Sequence, residues 1–348
     1  MVAKAASSKS TEFGEGANLM TFSIMDFVIF GSERSMFFPP PTSSTAAEVD
    51  SLFYFILWVC VVFFIVIVGV MGYCLIRYRE RPGVKAEPSA SHNNILEVTW
   101  TVIPGIFVGV IFYWGFVTFL DLRQSPDESY EIQVEAKMWN WSFTYPNGHV
   151  DNVLHVPLDK PVRLVMTSVD VIHSLYVPAF RVKMDVLPGR YSHTWFEANK
   201  VGSYTLFCTE YCGTKHSEML SKVVVHPSGE FETWLENAAN FLERMTPVEA
   251  GEILYQRRGC AQCHSIDGSA KVGPTFLDAF GSEQSLMDGS TITVDENYIR
   301  ESILEPQAKV RVGYRPVMPT YQGQLKDEEI NALIAYIKSL SEGSQVNP

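Results

Sequence analysis

Two long uncharged apolar runs constrain this chain more than any other feature. They occupy residues 52–76 and 98–120 of the 348. Each is at least as long as the roughly 20 residues that an α-helix needs to cross a bilayer. The loop between them carries four Lys or Arg residues, whereas residues 121–136 carry only Arg123. By the positive-inside rule, we predict a transmembrane helix hairpin at 52–124 with a cytoplasmic loop and both termini outside.

The N-terminal residues 1–51 are predicted to form an extracytoplasmic segment. Their apolar patch, residues 20–30, contains Asp26 and is not followed by a small-residue cleavage site. We therefore do not expect a removed signal peptide.

The rest of the chain changes pattern once. Residues 130–136 alternate apolar and polar side chains, and 162–167 and 222–225 read as further strands between Pro- and Gly-containing turns. This predicts a β-sandwich at 125–228. Residues 229–245 are predicted to be a linker. A capping box at 246–249 and helical spacing of Ile330, Leu333, Ile334 and Ile337 predict a separate all-α domain at 246–348.

Sulfur and imidazole ligands cluster within residues 208–219. Cys208, Cys212, His216 and Met219 fall in these twelve positions, and His173 follows a predicted strand about 35 residues earlier. Soft sulfur with imidazole selects copper over hard cations. Two cysteines with two histidines fit two coppers that share bridging thiolates. The alternatives are a Cys208–Cys212 disulfide, a redox-active dithiol or a zinc site. None of them explains the presence of Met219 and His173.

A second motif lies at Cys260-Ala-Gln-Cys263-His264, which has the spacing of a c-type haem attachment site. The sixth iron ligand should be a methionine from a later loop. Met318, between two prolines ahead of the last predicted helix, is favoured over Met287. An accidental match or a zinc site is the alternative. Cys60 and Cys74 lie in the first apolar run and are expected to be packing residues.

The segments at 96–105, 137–141, 173–190 and 208–219 resemble subunit II of the haem-copper cytochrome c oxidases, which holds the dinuclear copper A centre in a cupredoxin-like domain. The resemblance implies that His173 and His216 are terminal copper ligands and that Cys208 and Cys212 bridge. It also implies weak ligation by Met219 and by the carbonyl of Glu210.

The same resemblance implies three further roles. The Glu210 carboxylate would bind a magnesium ion shared with subunit I. Trp139 would be the residue through which electrons enter, although a packing pair with Trp141 is the alternative. Glu97 would stand at the mouth of a proton pathway, although an interfacial charge is the alternative.

The fused C-terminal domain, a class I cytochrome c by resemblance, is similar to that of the caa3-type oxidases. The implied function is to pass electrons from a donor cytochrome c or quinol-oxidising complex, by way of haem c and copper, to the oxygen-reducing subunit I in a bacterial cytoplasmic membrane with proton pumping. Neither apolar run contains histidine, so this chain cannot ligate a haem or copper within the bilayer.

Four other functions are weighed against this one. A quinol oxidase subunit would lack the copper ligands, whereas a nitric oxide reductase with a dicopper subunit stays open. A copper carrier fits poorly with the haem motif and two membrane helices. A thiol–disulfide oxidoreductase would need Cys208 and Cys212 to act without metal. The net charge of −12 argues against nucleic acid as a partner.

Overall fold

A computed structural model describes residues 37–83, 85 and 90–342 of the chain. The predictions for residues 1–36 lie outside these ranges. Helices α1 (Ala46–Arg77) and α2 (Asn94–Arg123) are both long and apolar enough to cross a membrane. Phe55 packs against Trp114 and Phe63 against Phe107, so the two helices run antiparallel. Most of their large side chains are exposed, which suits a surface covered by lipid or by other membrane helices.

Ten strands form a sandwich of two five-stranded sheets outside the hairpin. They are β1 (Tyr130–Lys137), β2 (Asn140–Thr144), β3 (Val150–Asp151), β4 (Leu154–Pro157), β5 (Pro161–Ser168), β6 (His173–Val177), β7 (Val182–Val186), β8 (Ser192–Glu197), β9 (Gly202–Cys208) and β10 (Leu220–His226). The sheet orders are β3-β2-β1-β5-β8 and β4-β10-β9-β6-β7. Pairs β1–β5 and β4–β10 are parallel, and the other pairs are antiparallel.

The alternation seen in the sequence sets which side chains fill the sandwich. Ile132, Val134 and Ala136 of β1 are buried while Glu131 and Gln133 are exposed. Strand β5 alternates in the same way. Because successive strand residues point to opposite faces, each strand contributes every second residue to the common core.

A buried ion pair joins the first membrane helix to the sandwich. The Arg181 guanidinium donates to both carboxylate oxygens of Asp50, at 2.7 and 2.8 Å. It also donates to the carbonyls of Pro178 and Pro39, at 2.6 and 2.7 Å. The two charged side chains are only 4% and 1% exposed. We call this arrangement the Arg181–Asp50 clamp.

The segment predicted as a linker contains two short helices, α3 (Glu230–Ala239) and α4 (Phe241–Arg244). Helix α3 buries Phe231, and its Trp234 stacks on His155 of β4 with ring centroids 3.9 Å apart. The apolar residues recur at helical spacing, so this helix packs one face on the sandwich.

The C-terminal domain is mainly helical and has its own core. Its helices are α5 (Pro247–Arg257), α6 (Cys260–Cys263), α7 (Glu296–Leu304) and α8 (Asp327–Glu342), and a small hairpin joins β11 (Glu283–Ser285) to β12 (Thr291–Thr293). The predicted capping box opens α5. Gly251 lets α5 and α8 cross closely, since a Cβ there would lie 2.1 Å from the Ala332 carbonyl oxygen. The predicted fold class is confirmed.

The two extramembrane domains are in direct contact. Lys215 donates to the carbonyl of Gln262 at 2.7 Å, and Arg257 pairs with Asp151 at 3.2 Å. A Cβ at Gly259 would lie 2.7 Å from Cγ of Asn140, so the backbone approaches the sandwich closely there. Cys263 and Val272 pack against the sandwich core. We call these contacts the domain interface.

Candidate copper and haem sites

The proposed copper ligands lie at one end of the second sheet. Strand β9 ends at Cys208, and the loop to β10 carries Cys212, His216 and Met219. His173 is the first residue of β6, which pairs with β9 so that Leu175 lies opposite Cys208. The neighbouring strands therefore bring His173 to the loop although it is 35 residues distant in sequence.

The ligand atoms lie within contact distance of one another. The Cys208 and Cys212 sulfurs are 3.7 Å apart, and both cysteines are free thiols. His173 Nδ1 lies 3.8 Å from Cys208 Sγ, and His216 Nδ1 lies 3.4 Å from Cys212 Sγ. Met219 Sδ is 3.8 Å from Cys212 Sγ. Two sulfurs between two imidazoles, with a thioether beside them, are a donor set that fits copper.

The surroundings shift the pKa values of Cys208, Cys212 and His173 in different directions. Burial raises the pKa of Cys208, but the hydrogen bond to His173 and backbone hydrogen bonds outweigh it and bring the pKa down to about 6. Burial and the neighbouring Cys208 raise the pKa of Cys212. Burial lowers the pKa of His173, but Asp170 and Cys208 outweigh it and raise the pKa to about 9. Metal ligation requires thiolates and a neutral imidazole, so copper would displace these protons.

Asp170 fixes the orientation of His173. Its Oδ1 accepts a hydrogen bond from His173 Nε2 at 2.8 Å, which leaves Nδ1 directed at the cysteines. Its Oδ2 accepts from the backbone N–H of Met138 at 2.6 Å. The carboxylate thereby links the β1–β2 turn to the copper site, as carboxylates commonly do behind metal-bound histidines.

Trp139 lies against the copper loop and is only 9% exposed. A Cβ at Gly213, whose φ is +115°, would lie 3.2 Å from the Trp139 ring. Glycine suits this position because its φ is positive and the indole is close. Trp141, the neighbour along the chain, packs edge-on to His173 with ring centroids 6.2 Å apart. Both tryptophans therefore lie against the copper site.

Glu210 and Glu97 are both exposed. The Glu210 carbonyl lies 3.4 Å from Cys208 Sγ, which places it beside the copper ligands. The Glu97 carboxylate accepts from the Asn93 backbone N–H at 3.1 Å at the start of α2. Glu97 therefore caps the start of α2.

The haem motif lines a cavity that opens to solvent. Its walls include Cys260, Cys263, His264 and Met318, whereas Met287 is not among the lining residues and is exposed. The remaining walls are mostly apolar or aromatic, as expected for a cofactor pocket. The free thiols, the imidazole and the thioether around one apolar cavity fit a covalently bound c-type haem.

His264 is held in a fixed orientation. Its Nδ1 donates to the Pro274 carbonyl at 2.7 Å, which leaves Nε2 available as a ligand. Burial lowers the pKa of His264 despite this bond, which favours the neutral ring. A Cβ at Gly273 would lie 2.6 Å from His264 Cε1. Glycine at 273 therefore makes room for the imidazole.

Comparison with known proteins shows which family this chain belongs to. The sequence matches the cytochrome c oxidase subunit II family over residues 31–117, its transmembrane domain, and over residues 108–226, its periplasmic domain. Residues 248–341 match the cytochrome c family. The chain is 32% identical over 288 residues to cytochrome c oxidase subunit 2 of Alkalihalophilus pseudofirmus, which covers 79% of this chain and 82% of that protein. The chain belongs to the cytochrome c oxidase subunit II family.

Two further proteins are similar to this chain. The alternative cytochrome c oxidase subunit 2 of Bradyrhizobium diazoefficiens is 28% identical over 225 residues, which are 56% of this chain and 81% of that protein. The crystal structure of the periplasmic domain of subunit II of cytochrome oxidase from Bradyrhizobium japonicum is 35% identical. It covers 34% of this chain and 98% of that one, with a TM-score of 0.32.

Membership confirms the function predicted from the sequence at the level of the subunit. The protein is a membrane subunit of a cytochrome c oxidase, with two transmembrane helices and a periplasmic domain. That domain carries a copper A-like His/Cys/Met site. A cytochrome c domain, which implies haem c, is fused to it.

Three side chains around the sites were missed in the sequence. Asp170 stands three residues before His173, a spacing that could have indicated a hydrogen-bonded pair. Lys137 stands two residues before Trp139 and Asn140 stands between the two tryptophans, and both line the haem cavity from the sandwich. Only the contact between the domains shows this, because no local pattern relates β1 to the haem motif.

Proposed function

We propose that the chain transfers electrons one at a time from an extracytoplasmic donor to the haem-copper subunit I, with the cytochrome c domain as the entrance and the copper domain as the exit. The cluster of His173, Cys208 and Cys212, completed by His216 and Met219, is the observation that carries this proposal. When bound, the dicopper centre and the haem each take up and release single electrons. The residues below hold and orient them.

At the copper site, His173 and His216 are the terminal ligands and Cys208 and Cys212 the bridging thiolates. Met219 and the Glu210 carbonyl complete the two coordination spheres. The short distances between their donor atoms support these roles. A rigid sheet and a short loop hold the ligands, which limits rearrangement between oxidation states.

In the cytochrome c domain, Cys260 and Cys263 attach the haem covalently, and His264 and Met318 are the axial ligands. The position of Met318 in the cavity wall and the exposure of Met287 support this choice. The Pro274 carbonyl holds the His264 ring in the orientation needed for ligation.

Three further residues have proposed roles in the transfer of electrons, in metal binding and in proton uptake. Trp139, packed on the copper loop, conducts electrons into the copper domain. Exposed Glu210 offers its carboxylate to a magnesium ion shared with subunit I. Glu97 supplies a carboxylate at the cytoplasmic mouth of a proton pathway in addition to capping α2.

The charge distribution supports one orientation in a bacterial cytoplasmic membrane. The basic residues of the α1–α2 loop favour the cytoplasm, so both termini and both extramembrane domains lie outside. The donor is then a cytochrome c or a quinol-oxidising complex at the outer surface.

The test is the metal and haem content of the full chain purified in detergent. We expect two coppers with a mixed-valence electron paramagnetic resonance signal and one covalent haem per chain. Cys212→Ser should abolish the signal and keep the haem. Cys60→Ser, a change of the same kind in α1, is the matched control and should keep both. One copper or none in the unsubstituted chain would overturn the proposal.

A further inference from the structure

Lys137, at the end of β1, reaches from the copper domain into the wall of the haem cavity. Together with Met138 and Asn140 it lines the cavity alongside Cys260 and Cys263. Its ammonium lies over the Tyr321 ring of the cytochrome c domain, 4.2 Å from the ring centroid. The haem cavity is therefore a composite of both domains.

The Lys137 side chain is largely buried and has no carboxylate partner. The residue is 4% exposed. Within the described ranges its ammonium has no hydrogen-bond acceptor or ion-pair carboxylate, and the Tyr321 ring is its polar contact. By contrast Lys309, another cation of the cavity wall, pairs with Glu301 at 2.5 Å. Burial lowers the pKa of Lys137, with Glu135 opposing, which reflects the cost of removing the charge from water.

Burying such a charge lowers the stability of the folded protein. A buried lysine without a carboxylate partner loses its hydration, and one cation–π contact returns only part of it. A leucine or methionine of similar size would fill the same space without that cost. Packing alone therefore does not explain why position 137 has a charged residue.

We propose that Lys137 sets the reduction potential of the haem from across the domain interface. The inference rests on the proposed function, since it takes the cavity to hold haem c. A fixed positive charge in the cavity wall favours the form of the cofactor that carries one more electron. Lys137 therefore raises the haem potential only while the two domains are in contact.

The test compares haem reduction potentials in the full chain, measured by spectroelectrochemical titration. Lys137→Met should lower the equilibrium constant for haem reduction about tenfold, which is about 59 mV for one electron. Lys137→Arg should restore most of the difference because it keeps the charge. Lys222→Met removes an exposed lysine of the same domain and should leave the potential unchanged.

A thermal scan of the same proteins separates this role from a structural one. Lys137→Met should be as stable as the unsubstituted chain or more stable. Loss of stability with an unchanged potential would overturn the inference and make Lys137 an interface contact only. Lys137→Gln provides a second neutral variant if the methionine protein does not fold. Absence of covalent haem in the unsubstituted chain would instead refute the proposed function.

Discussion

Asp170 is the residue on which the orientation of His173 depends. In Asp170→Asn the amide can accept the His173 hydrogen bond or the Met138 one with its single oxygen, and it carries no charge. We expect copper affinity to fall roughly 10- to 100-fold, the usual effect of removing such a partner. Competition with a copper chelator, followed by the mixed-valence signal, measures the change.

Asp159→Asn is the matched control, since Asp159 is exposed in the same domain. It should retain copper as the unsubstituted chain does. Equal copper affinity in the Asp170 and Asp159 variants would contradict the role given to Asp170.

His155 makes the stability of the copper domain depend on pH. Burial, assisted by His226, lowers the pKa of His155 to about 4, although Asp151 opposes this. The unfolded chain binds a proton near pH 6.5, so the contribution is complete above pH 6.5 and is lost as the pH falls towards 4. We expect a loss of about 2 kcal/mol, reduced from the full value because the ring is partly exposed.

Melting temperatures between pH 7 and pH 4 check this expectation. His155→Phe keeps a ring for Trp234 to stack on and should flatten the profile in that window. His193→Phe replaces an exposed histidine of the same domain and should leave the profile unchanged. A profile equally steep with His155→Phe would rule out His155 as the source.

At the level of residues, most of the proposed ligands could be selected from the sequence because they lie in short motifs. Cys208, Cys212, His216 and Met219 come from one loop, and Cys260, Cys263 and His264 come from one turn. Lys137 could not be predicted in the same way, since its partner Tyr321 lies in the other domain. Its role depends on a tertiary contact that no local spacing encodes.

Among the secondary-structure elements, the junction of α1 with the sandwich depends on the Arg181–Asp50 clamp. Arg181→Met leaves the Asp50 carboxylate buried without its cation. Such a loss destabilises proteins by about 3 to 5 kcal/mol. Unfolding of the detergent-solubilised chain by heat or denaturant measures the effect.

The double variant Asp50→Leu with Arg181→Met removes both charges and is the control. It should recover much of the lost stability, because no charge is then left buried. If the double variant were as unstable as the single one, packing and not the ion pair would explain the effect.

Three secondary-structure elements differ from what the sequence predicted. Residues 229–245 were predicted as a linker, yet α3 forms there, because Phe231 and Trp234 find a surface on the sandwich. Helix α1 begins at Ala46, before the apolar run, because polar Asp50 is satisfied by Arg181. The β11–β12 hairpin within the helical domain was also not predicted. In the first two cases tertiary packing decides what a short polar segment becomes.

At the level of the whole molecule, the two extramembrane domains have separate cores. Removing copper with a chelator should therefore destabilise the copper domain and leave the haem spectrum unchanged. At copper 1,000-fold above its dissociation constant, the loss is about 4 kcal/mol. Calorimetry of the full chain before and after chelation measures it.

Returning copper should restore the transition in the unsubstituted chain and have no effect in Cys212→Ser. A copper-domain transition that does not move on chelation would argue against a bound metal at this site. A change in the haem spectrum on chelation would show instead that the state of the copper site affects the haem across the domain interface.

The fused cytochrome c domain also changes the kinetic order of electron delivery. Separate partners must meet by diffusion, at a rate set by their concentrations and weakened by salt. Here one partner is present at a fixed local concentration, on the order of millimolar or above for a short connection. The step between the domains is then first order and independent of how much protein the cell makes. Abundance and ionic strength would act only on the earlier encounter with the donor.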